Sequence, residues 1–391
     1  MKLWKKNYEL NKDVEKFTVG NDYMLDKKLV KYDCEASIAH VQMLGKVGIL
    51  KEDEVKRLKS GLRDIIEMDK KGVFEIKRTD EDCHTAIENY LTEHLGSLGK
   101  KVHTARSRND QSLTALRLYY KEEIKVSETL VGQLINSIEE FEAKYGKIKF
   151  PGYTHTRKAM PSSIGLWSGS FVDSMKDNLK LLHTVRDLVD QSPLGTGAGY
   201  GVPLKIDRKY TASELGFAKI QNNPIYAQNS RGKFEATIVH ALSQIMLDLN
   251  KVSNDLILFS MPEFGYFILP REFLTGSSMM PHKTNPDVLE ILRANYHVVN
   301  SYEFRIKGIA GNLISGYNRD IQLTKEPVMR SFDIVKESLT VSAELFKELK
   351  VDKKNCKRGM TNEVYATEKA YKLVEKGVPF RDAYGTISED Y

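Results

Sequence analysis

Cysteine, tryptophan and proline are scarce in this chain, at 3, 2 and 11 of 391 residues. Cys34, Cys83 and Cys356 are odd in number and far apart. That excludes a disulfide framework and any CxxC metal or redox site. No apolar run approaches the roughly 18 residues that a membrane-spanning helix needs. Charge of one sign is not in excess either: 59 Lys and Arg face 53 Asp and Glu, a net +6. A surplus this small suits a pocket for a small anionic substrate. The basic stretches at Lys100-Lys101 to Arg108 and Lys353-Lys354 to Arg358 lack interleaved aromatics. They read as solvated faces, not as a nucleic-acid footprint. The opening Met1-Lys-Leu-Trp-Lys-Lys places charges where a signal peptide needs its apolar stretch, so a reducing cytoplasm is expected. None of the 9 histidines falls in HExxH or another metal spacing, and no phosphate-binding GK[ST] occurs.

What is present is helical periodicity in a chain of ordinary globular composition, 41% hydrophobic and 29% charged. From Ile164, the residues Trp167, Phe171, Met175, Leu179, Leu182, Val185 and Leu188 step by three or four, one apolar stripe of a long amphipathic helix. Leu113 to Phe141 repeats the pattern. Phe234–Phe259, Val288–Leu313 and Val328–Leu349 run without internal proline. Most prolines fall between these stretches, and Pro286 and Pro327 sit where a first helical turn tolerates them. Gly265 to Leu269 is the one short strand candidate. The pattern predicts an all-α chain with an N-terminal helical part (1–109), a central long-helix bundle (110–350) and a short C-terminal helical part (351–391). Five such stripes exceed what one core can hide, which predicts a homo-oligomer.

Four polar stretches interrupt the helices. Gly195-Thr-Gly-Ala-Gly-Tyr-Gly201 lacks the GxGxxG order and a preceding strand, and reads as a flexible turning loop. His103 to Gln111 packs Arg106, Arg108, Asn109 and Gln111 just before a long helix, either an anion-binding surface or a helix start capped by Ser107 or Asp110. Pro151-Gly-Tyr-Thr-His155 reads as a polar loop entering a long helix, where ionisable groups point to function. Thr275 to Asp287 joins a small-residue tip to Lys283, Asn285 and Pro286, either a loop that closes over an anion and carries a reactive hydroxyl or a plain linker. Gln322 and Lys325, three apart, share a helical face that could grip a carboxylate or form an exposed turn.

These segments form an ordered series. It runs Tyr32-Asp33, Ser37-Ile-Ala-His40, Glu81-Asp-Cys-His-Thr85, Ser107-Arg-Asn-Asp-Gln111 and Pro151-Gly-Tyr-Thr-His155. It continues through Pro262-Glu-Phe-Gly265, Gly276-Ser-Ser-Met-Met-Pro281, Tyr317-Asn-Arg-Asp320 and Val378-Pro-Phe-Arg381. Along nearly the whole chain the series resembles the argininosuccinate lyases of the fumarase/aspartase superfamily. The resemblance implies a homotetramer whose core of about twenty helices takes five long helices per subunit, with active sites assembled from three subunits. It also implies reversible elimination of argininosuccinate to arginine and fumarate, in arginine biosynthesis, without metal or organic cofactor.

By the same resemblance Ser277 is the base, with Lys283 and Asn285 beside the charge that develops on the substrate carboxylate. His155, partnered by Glu290, matches the acid-side histidine. His84, Arg108, Asn109, Thr154, Ser278, Tyr317, Gln322 and Lys325 match substrate-binding positions. The departures are Ala105 where glycine is usual, Thr156-Arg157 after the histidine, and His282, which is more typical of adenylosuccinate lyases. Family members also usually have a longer C-terminal domain. A catalytically silent structural oligomer, as in lens crystallins of this fold, is the alternative of another class. Retention of Ser277, Lys283, Asn285, His155 and Glu290 opposes it.

Overall fold

The computed structural model describes residues 11–391, so the charged opening stretch lies outside the described residues. The five long helices are Arg108–Tyr145, Ile164–Val189, Lys233–Ser260, Asp287–Ala310 and Lys325–Glu348. Each contains the greater part of a stretch marked by apolar periodicity, and the chain is all-α apart from short strand pairs. Ile164, Phe171, Met175, Leu182 and Val185 are buried along the second helix, as their shared stripe requires. Pro327 is the third residue of its helix, where no intrahelical N–H is lost. No helix among the described residues is long and apolar enough to cross a membrane.

The described residues fall into two compact units. The first takes residues up to Lys125 with His183–Val239 and Tyr302–Arg330. Its helix Val30–Lys46 buries Asp33, Ser37 and His40 at spacings of four and three, a polar stripe facing inward. The glycine loop expected to be flexible is instead mostly buried and fixed. The Asp110 carboxylate accepts N–H bonds from Gly195 and Gly197, each at 2.9 Å. Gly195, Gly197, Gly199 and Gly201 all take positive φ, the conformation that only glycine adopts without strain.

The second unit takes Val126–Leu182, His240–Ser301 and Ser331–Tyr391. An aromatic cluster packs its core: Trp167 meets Phe171 and Phe267 edge-on or tilted, and its indole N–H donates to Asp255 at 2.9 Å. The segment expected to be a polar loop is an antiparallel hairpin, Lys149–Thr154 with Arg157–Ser163. Phe150 packs against Phe259 and Tyr266, and the Tyr153 and Tyr266 hydroxyls share a 2.9 Å bond. Aromatic burial therefore holds strands that contain Pro151, Gly152 and Pro161. Phe267–Ile268 is a strand, as the Gly265 to Leu269 expectation has it.

Candidate active site

In the first unit, four of the family-like segments converge on one buried carboxylate. Asp33 is fully enclosed and accepts from Gln111 Nε2 at 2.9 Å, from Ser37 Oγ at 3.2 Å and from His84 Nδ1. Arg106 donates to Ser37 Oγ at 2.8 Å. Burial alone would raise the Asp33 carboxyl, but His84 and Arg106 outweigh it and hold it at about 2. His84 is raised above the ordinary histidine range: burial opposes its charge, and Asp33 overcomes that. An ionised Asp33 can only accept, so His84 Nδ1 carries a proton. His40 donates through Nε2 to the Thr104 carbonyl at 2.7 Å, and burial with nearby Arg106 pushes it down to about 3, so it stays neutral.

Ser107 begins the helix at Arg108 as a capping pair. Its hydroxyl accepts from Asn109 N at 3.2 Å and its own N–H donates to Asp110 at 2.9 Å. This cap aims Arg108 and Asn109 into a cavity of about 160 Å³, while Arg106 and Gln111 turn inward to Asp33. The anion-binding surface expected of all four donors is therefore halved, because a buried carboxylate must be compensated first.

The same cavity is lined by His84, Tyr317, Gln322 and Lys325, so six expected substrate-binding residues meet there. Lys325 is buried, with Nζ 2.5 Å from Asp26 and 2.7 Å from Asp22. Burial disfavours its charge, but the two carboxylates more than restore it and raise the group above its ordinary value. Arg108 pairs with Asp82 and lies 3.6 Å from Glu81. Asp22, Asp26, Glu81, Asp82 and Arg231 also line the cavity, none of them named as a site residue from sequence, together with Val19, Ser112 and Arg319, the last of which shares the stretch of Gln322 and Lys325. The Asp residues could have been suspected from their closeness to Asp33 and His84 in the chain. Arg231, in a short polar turn, gives no such signal.

The remaining expected residues lie in the second unit. Thr154 and His155 stand exposed at the hairpin tip, where His155 and Thr156 form a two-residue turn with φ of 51° and 59°. Such turns favour Asn and Gly, and non-glycine residues held there are strained, a pattern common at functional sites. Ser277, Ser278 and Lys283 occupy a loop closed by the strand pair Thr275–Gly276 and Thr284–Asn285. Ser277 Oγ accepts N–H bonds from Met279 at 3.3 Å and Met280 at 3.0 Å. Asn285 ends the loop, and Glu290 is exposed in the first turn of the next helix. Among the described residues no hydrogen bond joins His155 to Glu290, and none of these side chains lines the cavity of the first unit.

Comparison with known proteins supplies the family. A lyase family model matches residues 10–300. The argininosuccinate lyase of Thermotoga neapolitana is 53% identical over 390 residues, covering 100% of this chain and 98% of that protein. That of Bacteroides fragilis is 39% identical over 389 residues, covering 100% of this chain and 87% of the relative. Among solved structures, an EDDS lyase variant with bound fumarate superposes with a TM-score of 0.83 at 22% identity, over 93% of this chain and 72% of its own. A class II fumarase from Schistosoma mansoni gives 0.78 at 16% identity, over 96% and 91%. At those identities the structures speak for the all-α fold alone, and the full-length relatives speak for the rest: the chain belongs to the argininosuccinate lyase family of the fumarase/aspartase superfamily.

Proposed function

We propose that this chain is a carbon–nitrogen lyase that splits argininosuccinate reversibly into L-arginine and fumarate, a step of arginine biosynthesis. The observation that carries the reading is the 53% identity to an argininosuccinate lyase over the full chain. The chemistry of the residues agrees with it. Elimination removes a proton from the carbon beside a carboxylate, forms a carbon–carbon double bond and breaks the carbon–nitrogen bond. The electron pair leaves with the guanidinium nitrogen, which takes up a proton.

Ser277 is the base in this reading. Its oxygen already accepts two backbone N–H groups, the donors that an alkoxide needs for stability. Lys283 and Asn285, at the far side of the same loop, would hold the negative charge that builds on the substrate carboxylate. His155 delivers the proton to the leaving nitrogen, with Glu290 as its partner. Thr154 and Ser278 join these groups on the substrate. His84, Arg108, Asn109, Tyr317, Gln322 and Lys325 bind substrate in the cavity.

We further propose a homotetramer in which several copies of the chain supply each active site. Large apolar side chains left open on the Asp287–Ala310 helix support this: Ile291 is 61% and Phe304 81% exposed. Three free, buried cysteines agree with a reducing cytoplasm. The test offers argininosuccinate and adenylosuccinate separately and follows fumarate by ultraviolet absorbance. Fumarate from argininosuccinate alone is the expected result. Fumarate from adenylosuccinate alone would reassign the substrate, and silence on both would favour the structural oligomer. Light scattering of the same sample should return four times the subunit mass of 44.6 kDa.

A further inference from the structure

His155 sits on a turn that its own residues do not favour. With Thr156 it makes the hairpin tip at φ of 51° and 59°, and neither residue is glycine or asparagine. Backbone in that region persists only where its surroundings fix it. Just below the tip, past the Thr154–Arg157 pair, Tyr153 and Lys158 face each other across the two strands. Both are anchored, one from each strand. The Tyr153 hydroxyl shares a 2.9 Å bond with that of Tyr266, and Lys158 Nζ donates to Thr361 Oγ1 at 2.9 Å. Thr361 in turn donates to Glu363, whose carboxylate lies 3.7 Å from Lys158 Nζ.

Both anchors lead to the C-terminal part of the chain. The Tyr266 carbonyl accepts from the Asp352 N–H at 2.9 Å, and Phe267 and Ile268 pair with Val351 and Lys350. The helix Lys353–Gly359 ends against the Tyr266 ring, where a Cβ on Gly359 would stand 2.5 Å from the hydroxyl oxygen. A partly exposed ion pair such as Lys158 with Glu363 contributes little stability, because water competes for it and both side chains must be ordered. What the Lys158 contact supplies is a fixed place for the strand.

Given the lyase reading and the acid role of His155 in it, on which this step rests, we infer that Lys158 is a positioning residue for His155, acting through Thr361 and Glu363. With the Tyr153–Lys158 rung held at both ends, the turn above it presents the imidazole in one place. Proton delivery needs donor and acceptor about 2.6–3.2 Å apart, and a misplacement of about 1 Å can cost 100-fold in rate. The C-terminal part of the chain thus supports the reaction without touching substrate.

The test follows fumarate release from argininosuccinate by Lys158→Met, Lys158→Arg, Thr361→Val and the Lys158→Met/Thr361→Val pair. Lys158→Met should lower kcat about 10- to 100-fold with KM within about twofold, because the proton transfer belongs to the transition state. Lys158→Arg keeps a cation and donors within reach of Thr361 and Glu363, and should recover most of the rate. Thr361→Val removes only the acceptor. It should repeat the loss, and it carries the test if Lys158→Met does not fold. The double variant should lose no more than Lys158→Met, the mark of two residues that act as a unit. Hydrogen exchange, read by mass spectrometry, should quicken over residues 153–158 in Lys158→Met.

An unchanged kcat in Lys158→Met would overturn the assignment. So would a raised KM at unchanged kcat, which marks a substrate contact, or losses that multiply in the double variant. A wild type that releases no fumarate refutes the lyase reading instead. Hydrogen exchange over residues 153–158 then still decides whether Lys158 holds the turn.

Discussion

Replacing Asp33 by asparagine tests whether the buried network around His84 is an ion pair or a set of neutral hydrogen bonds. Asparagine keeps the shape and one acceptor for His84 Nδ1 but removes the charge. In the wild type the Asp33 carboxyl sits at about 2. The unfolded value is about 3.9, so linkage assigns it roughly 2–3 kcal/mol of stability. Because the folded value is depressed, that share is present above about pH 4 and is lost as pH falls toward about 2. His84 is raised, so its share is present below about pH 6.5 and is lost as pH rises through its folded value. The pair is therefore strongest between about pH 4 and 6.5. Breaking one side of a buried pair costs about 3 kcal/mol or more.

Urea unfolding at fixed subunit concentration, followed by circular dichroism at about pH 5.5 and pH 3, measures both effects. Asp33→Asn should lose about 3 kcal/mol at pH 5.5, and the gap to wild type should shrink by roughly half at pH 3. A loss under about 0.5 kcal/mol at pH 5.5, or the same gap at both pH values, would refute an ion pair.

Other outcomes follow from the loop and the turns. Ser277→Ala should abolish fumarate release while light scattering still reports the wild-type oligomer. Full activity in that variant removes Ser277 from the base role. Lys283 is exposed and its loss should leave the fold alone, so Lys283→Met should cut kcat by about 100-fold or more with Tm moved by less than a few degrees. A collapse of Tm would make the residue structural. Ala105 holds φ at 59°, the left-handed region that favours glycine. Ala105→Gly should gain about 0.5–1 kcal/mol in the same urea assay, and a loss of stability would contradict that strain.

Sequence by itself settled the parts of this protein that depend on short-range periodicity. Apolar residues three and four apart can lie on one face only in a helix, so the long helices could be read with their boundaries near the prolines. The helix start at Arg108 was also legible, because Ser107 and Asp110 cap it locally. The family resemblance named residues, yet not their surroundings. The hairpin at Lys149–Ser163 was not legible: Pro151, Gly152 and Pro161 argue against strands, and the turn lacks Asn-Gly. Tertiary packing of Phe150 and Tyr153 on Phe259 and Tyr266 overrides those local preferences.

The glycine loop misled for the same reason, since its order comes from Asp110, 85 residues before Gly195. Only the folded chain could separate Arg106, spent on Asp33 and Ser37, from Arg108, which faces the cavity, although the two are only two positions apart. Only the folded chain could show Arg231 buried over the Tyr317 ring with its Nε unbonded. Charge compensation depends on distances in space, which no spacing along the chain encodes.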